Sequence, residues 1–123
     1  MVIPLQGKRD KLLRYIFYGS IGWKILFHTY RLSKKGTMVH AGVLSDEIGH
    51  NISNIRKSLA ELESMSLITK TKLQKTEVVY ISKIELTPFG EEIAINIFNI
   101  VKCVYKNVDE KKIIEKEISS EDY

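Results

Sequence analysis

LSDEIGHNISNIRKSLAELESMSLI, running from Leu44 to Ile68, is the stretch that decides the fold. Leu44 and Ile48 stand four apart, Ile55 and Leu59 four apart, and Leu62 follows Leu59 by three. Those steps put each set on one face of a helix. Gly49-His50-Asn51 separates the two sets. Glycine enters the left-handed backbone that ends a helix at least cost, and Asn51 can accept a hydrogen bond from a free amide in the first turn of the next helix. The spacing therefore predicts helix, stop, cap and second helix over Ala41–Met65, with a strand beginning near Leu67.

The downstream sequence supplies the rest of a small α+β domain. Leu67–Gln74 and Val78–Leu86 read as two strands, the second rich in β-branched residues. The connection near Lys75-Thr76-Glu77 contains no Gly and no Asn-Gly pair, so a longer loop than the two-residue hairpin turn is expected. Thr87-Pro88 then opens a long helix, Thr as cap and Pro at its first position, with Glu91 and Glu92 suited to the helix dipole.

This order resembles the winged helix-turn-helix of DNA-binding regulators, of the broad kind that includes the MarR and PadR families. In that pattern an apolar and a small residue precede the turn glycine by five and four positions, here Leu44 and Ser45. Apolar residues sit one before it, six after and ten after, here Ile48, Ile55 and Leu59. Ser45 replaces the usual Ala. Leu62-Glu63-Ser64-Met65-Ser66-Leu67-Ile68 resembles the exit into the wing, with Ser66 where Gly is usual, and Leu86-Thr87-Pro88-Phe89-Gly90 resembles the "LT-x-x-G" that follows it. A left-handed backbone at Ser66 would carry modest strain. The resemblance spans roughly residues 22–95. It implies that Thr37–His40 is a small strand pairing with the wing hairpin.

The 123 residues suffice for one domain with a real core. We read a single winged-helix domain over 1–123: a basic N-terminal extension over 1–19, a core over 20–90, and a C-terminal dimerisation helix and tail over 91–123. No apolar run approaches the ~18–20 residues of a membrane helix. Val2-Ile3-Pro4-Leu5 is too short for a signal segment, so a cytoplasmic protein is expected. A single cysteine, Cys103, excludes an internal disulfide and is expected as a reduced core or interface thiol.

The net charge of +4 is unevenly spread. Residues 1–36 sum to +7, 37–68 to −2, 69–90 to +2 and 91–123 to −3. Positive charge thus gathers at the N-terminus and the wing, and a nucleic-acid reading requires those parts to share one side of the molecule.

Met1–Gly7 reads as an arm broken by Pro4 and Gly7. Leu12, Leu13, Ile16 and Phe17 then form one apolar side of a helix, with Lys8, Arg9, Lys11 and Arg14 on the other. Tyr18-Gly19-Ser20 interrupts, and helical spacing resumes from about Ser20 to Leu32 through Trp23, Leu26, Phe27 and Tyr30. This pattern admits two helices or one kinked helix. In the last long helix Phe89, Ile93, Ile97, Ile100, Val101, Val104 and Val108 recur at steps of three and four, with Ile95, Phe98, Cys103 and Tyr105 on other faces. A helix apolar nearly all round must bury more than one side, which points to a homodimer through it. Asp109–Ile118 continues as a helical extension or separate short helix, and Ser119–Tyr123 reads as a tail.

For function, the resemblance makes the second helix of the motif a recognition helix. Its outward residues near the start are Asn51, Ser53, Asn54, Arg56 and Lys57. Arg56 suits a guanine edge, Asn54 an adenine edge, and Ser53 and Lys57 phosphates. Lys70, Lys72 and Lys75 on the wing suit phosphates or the minor groove, or simply guard an exposed edge strand. Lys8, Arg9, Lys11 and Arg14 either track phosphates or solvate their helix. Against a DNA role stand Glu61 and Glu63, which cancel the charge of Arg56 and Lys57 on this helix.

His28, His40 and His50 lack ligand spacing, one cysteine makes no zinc site, and there is no phosphate-cradling glycine loop or serine nucleophile elbow. No metal, cofactor or enzyme activity is expected. The expected partners are double-stranded DNA and a second copy of the chain, with no membrane. A small-molecule effector is left open: Trp23, Phe27 and Tyr30 can line a pocket, though their spacing favours ordinary core. The competing reading is a winged helix used as a protein–protein interaction module, for which an apolar patch around Ile52 would speak.

Overall fold

A computed structural model describes residues 7–19 and 21–108. The expected arm, the helix start at Ser20, and the extension and tail beyond Val108 lie outside the described residues. The element order is α1 (Gly7–Tyr18), α2 (Gly22–Lys34), α3 (Ala41–Ile48), α4 (Ile52–Ser64), β1 (Ile68–Gln74), β2 (Tyr80–Leu86) and α5 (Pro88–Asn107). It is the α+β winged helix-turn-helix with an added N-terminal helix and a long C-terminal helix.

The turn is built as its sequence indicates. α3 ends on Gly49 at φ +81°, whose amide donates to the Ser45 carbonyl at 2.9 Å. Asn51 caps α4 by accepting from the Asn54 amide at 2.9 Å. Ser45 does more than fill the slot of a small residue. Its hydroxyl donates to the His50 carbonyl at 2.6 Å and ties α3 to the chain beyond the turn. His40 caps α3 through Nδ1, which accepts from the Gly42 amide at 3.2 Å, a role that periodicity does not signal.

Leu44, Ile55, Leu59 and Leu62 are buried and meet Ile25 and Leu26 of α2, Leu67, Ile68 and Ile84 of the wing base, and Ala94 of α5. Ile48 is only half-buried. α1 and α2 are two helices, and α1 buries Ile16 but leaves Phe17 exposed.

The end of α4 closes by two bonds, Ser66 amide to Glu63 carbonyl at 3.0 Å and Leu67 amide to Leu62 carbonyl at 3.0 Å. Leu62 and Leu67 are both fully buried, the apolar contact that accompanies this stop. Ser66 sits at its left-handed position with φ +63°, where a side chain is strained. Ser66→Gly should therefore raise the unfolding free energy by about 0.5–1 kcal/mol, read from the urea midpoint.

β1 and β2 form an antiparallel pair in register from Ile68↔Leu86 to Gln74↔Tyr80, joined by a five-residue loop, Lys75–Val79. Thr37–His40 does not form a third strand. One bond, Ile84 amide to Val39 carbonyl at 2.8 Å, is the whole pairing among the described residues. Val39 buries its side chain, and the next residue, His40, already turns to cap α3, so the ladder stops after one rung.

Thr87 locks the wing to α5. Its hydroxyl donates to the Ser66 carbonyl at 2.7 Å and accepts from the Gly90 amide at 2.9 Å, while its amide donates to the Leu67 carbonyl at 3.0 Å. Ala94 and Ile97 bury, and Phe98 stacks on Phe27 of α2 with ring centroids 5.8 Å apart. Phe98 thus packs on the domain, not on a separate face. Among the described residues the C-terminal half of α5 is uncovered: Ile100 is 57% and Val104 52% exposed, with Tyr105 and Val108 also exposed. Cys103 is exposed too, so it is no core thiol among the described residues.

Candidate nucleic-acid interface

Burial of Ile55, Leu59 and Leu62 fixes which side of α4 faces solvent. At about 100° per residue, Ser53, Lys57, Ala60 and Ser64 fall opposite that face, with Arg56 and Asn54 on its two flanks. All six are exposed. Among the described residues neither Arg56 nor Lys57 makes an ion pair. Asn51 is partly committed, since its side-chain oxygen holds the cap. Sequence spacing does not single out Ala60; its small side chain leaves the middle of the helix open to close approach.

The wing lysines divide. Lys70 lies 3.7 Å from the Glu63 carboxylate at the end of α4. That exposed pair contributes only ~0–1 kcal/mol, but it directs Lys70 toward α4. Lys72 shares the sheet face of Lys70, and Lys75 begins the loop; both are exposed and without an ion pair among the described residues. On the other strand Lys83 is paired with Glu85 at 3.8 Å.

Two links position this surface. Tyr15 of α1 donates its hydroxyl to the Ser58 carbonyl of α4 at 3.2 Å. Its ring rests on Gly22, where a Cβ would come within 2.5 Å of it. Burial first, then the nearby Glu61 carboxylate, push the Tyr15 hydroxyl above its ordinary value, so it stays a donor at neutral pH. This anchors the helix carrying exposed Arg9, Lys11 and Arg14 against α4. The side chain of Lys8 lies outside the described set. The second link is Arg31 of α2, which reaches Glu47 of α3 at 2.8 Å and His28 Nδ1 at 3.1 Å. Burial and the Arg31 charge hold His28 below its usual range, leaving Nδ1 free to accept. No sequence spacing signals the Tyr15–Ser58 or the Arg31–Glu47 contact, since those partners are 43 and 16 residues apart along the chain.

A groove of about 790 Å³ runs between α1, α2, α3 and α5, walled by Ile16, Trp23, Phe27 and Val101, with His28 and Glu47 at one side. Trp23 and Phe27 are therefore half-buried groove walls, whereas Tyr30 packs on Phe98 at 5.5 Å. Among the described residues no three His, Cys, Asp or Glu are placed to hold a metal, and no helix is long and apolar enough to cross a membrane.

No protein-family model matches the sequence, and neither does any curated protein. Solved structures do match. A protein of Archaeoglobus fulgidus superposes with a TM-score of 0.63 at 17% identity, over 75% of this chain and 96% of its own. The E41A mutant of ZitR from Lactococcus lactis gives 0.59 at 14%, over 97% and 96%. MepR, a transcription regulator of the Staphylococcus aureus multidrug efflux pump MepA, gives 0.56 at 13%, over 89% and 80%. At these identities the likeness is one of fold, and it agrees with the helix-turn-helix, wing and flanking helices: the chain is a winged helix-turn-helix protein.

Proposed function

We propose that the protein is a sequence-specific double-stranded DNA-binding transcriptional regulator that acts as a homodimer. The observation that carries this is the outward face of α4. It presents Ser53, Asn54, Arg56 and Lys57 to solvent with both cations unpaired among the described residues, and Lys72 and Lys75 stand exposed on the wing. A helix with that face in the major groove sets Arg56 and Asn54 against base edges and Ser53, Lys57 and the wing lysines against phosphates. Glu61 and Glu63 lie toward the far end, and Lys70 neutralises Glu63. MepR, a transcription regulator, shares the fold. A DNA-binding role places the protein in the cytoplasm, where Cys103 stays reduced.

The dimer reading rests on residues 91–123, with the uncovered Ile100, Val104, Tyr105 and Val108 of α5 as its apolar surface. A two-fold interface there would set two α4 helices on half-sites about one helical turn, ~34–36 Å, apart. Light scattering is expected to give a dimer at micromolar concentrations, and the pair Ile100→Lys, Val104→Lys a folded monomer. A wild-type monomer would remove this part of the proposal. The protein-module reading is less well supported: Ile52, at 37% exposure, is the one exposed large apolar side chain on α4 and makes no patch. Selection of bound sequences from random duplex DNA tests the function. A pseudo-palindromic consensus supports it, and recovery of no enriched sequence contradicts it.

A further inference from the structure

Arg31 of α2 serves two partners through one nitrogen. Its Nη2 donates to the Glu47 carboxylate of α3 at 2.8 Å and to Nδ1 of His28 at 3.1 Å. A guanidinium has donors and no acceptor, so the His28 bond exists only while Nδ1 is bare, that is, while the imidazole is neutral with its proton on Nε2. The ring is held in place: Phe27 meets it edge-on with ring centroids 4.9 Å apart, and Phe27 is itself stacked on Phe98 of α5. A second proton on the ring would set an N–H against the same nitrogen that holds Glu47.

The charged and titratable groups around His28 are Lys24 and Arg31 on α2, Glu47 on α3 and Tyr105 on the α5 wall of the same groove; α1 brings only the apolar Ile16 and Phe17 to it. Glu47 is the one carboxylate among them, and Arg31 already holds it. Burial first, then the Arg31 charge, keep the ring below the usual histidine range, with Lys24 adding to the effect and Glu47 opposing it. The bridged form therefore takes up a proton less readily than a form in which Arg31 has let go, and acid favours release. The bridge is fully present above the ordinary histidine value of 6.5 and is lost as pH falls from there through the depressed one. What it holds is lightly seated. α3 has eight residues and fully buries only Leu44. The Ser45 hydroxyl ties α3 to the His50 carbonyl, and Asn51 caps α4 just beyond, so a shift of α3 reaches the start of α4, where Ser53 and Asn54 face solvent.

We propose that His28, Arg31 and Glu47 form an acid-sensitive latch: protonation of His28 releases Arg31 from Glu47, loosens α3 from α2 and lowers affinity for duplex DNA. The last step rests on the DNA-binding function proposed above; the latch itself does not.

The test compares the full chain with His28→Gln, whose side-chain oxygen can still accept from Arg31 but takes up no proton in this range. Amide hydrogen exchange of α3 reads the latch without DNA. At about pH 7.5 the two proteins should exchange alike. At about pH 5.5 the α3 amides of the wild type should exchange about threefold faster than those of the variant, the size that a partly exposed ion pair allows. Arg31→Gln should show the faster exchange at both pH values. Affinity for the tightest duplex selected from a random pool should follow, falling about threefold in the wild type relative to His28→Gln at the lower pH and matched salt. His40, which caps α3, and His50 in the turn remain in the variant, so an acid effect of equal size in both proteins belongs to them and overturns the proposal. Equal α3 exchange at both pH values overturns it as well. An exchange difference with duplex affinity unchanged overturns the regulatory step. An exchange difference in a protein that binds no duplex at either pH supports the latch and contradicts the DNA-binding function. If His28→Gln melts early, His28→Asn decides by the same readings.

Discussion

Gly90→Ala is expected to lower the unfolding free energy by about 3 kcal/mol, a large part of the ~5–15 kcal/mol that holds a domain of this kind together. A Cβ at Gly90 would fall inside the van der Waals envelope of the Leu67 carbonyl oxygen and 2.8 Å from its carbon. Both atoms are backbone, so no side-chain rotation relieves the contact. Nor is the backbone free to retreat. The Leu67 carbonyl already accepts from the Thr87 amide, the Thr87 hydroxyl holds both Ser66 and Gly90, and Leu67 itself is fully buried at the stop of α4. Moving α5 away would break these bonds and loosen Ala94 and Ile97 from the core. Asn99→Ala, on the exposed side of the same helix, should stay within about 0.5 kcal/mol and serves as the control. Urea denaturation of both variants measures the difference; equal midpoints would mean that α5 is not seated on the Leu67 carbonyl.

Arg56→Ala with Lys57→Ala should have the largest effect on binding, a loss of about 100-fold in duplex affinity at physiological salt, from one base contact and one phosphate contact together. Stability should change by no more than about 0.5 kcal/mol, because both side chains are exposed and neither holds a partner among the described residues. The single variants separate the roles. Arg56→Ala should relax sequence preference at one position of each half-site. Lys57→Ala should weaken all sequences alike and make the salt slope shallower by about 0.9. Gel shifts alongside thermal melting read both quantities, and loss of the fold in the double variant would show these residues to be structural.

The parts of the fold written in local sequence were legible. Gly49, Asn51, Thr87-Pro88 and the steps among Leu44, Ile55, Leu59 and Leu62 act within a turn or two of themselves, so spacing alone reveals them. Even the departures carried information: Ser66 adopts the strained backbone that its position demands, and Ser45 replaces Ala with a hydrogen bond across the turn. What spacing cannot reveal is which distant residues meet. The Tyr15–Ser58 bond that sets the basic helix against α4 and the Arg31–Glu47 bridge that orients α3 depend on tertiary approach. Periodicity also showed that α5 has apolar faces without showing where the domain stops covering them, so Phe98 packs inward while Cys103 and Ile100 stay exposed. The candidate contacts on α4 could be named because outward positions follow from inward ones. On the wing three lysines stand out in the sequence, but the attraction of Lys70 to Glu63 arises only from tertiary approach.

In the proposed function the face of α4, with the wing, holds duplex DNA through phosphate contacts as well as base edges. The most direct measurement is wild-type affinity for a random duplex pool and for a selected sequence across a salt series. Binding to both is expected at low salt, tighter to the selected sequence, with log affinity falling linearly against log salt at about 0.9 per phosphate held. No binding to any duplex at low salt, or an affinity indifferent to salt, would contradict it.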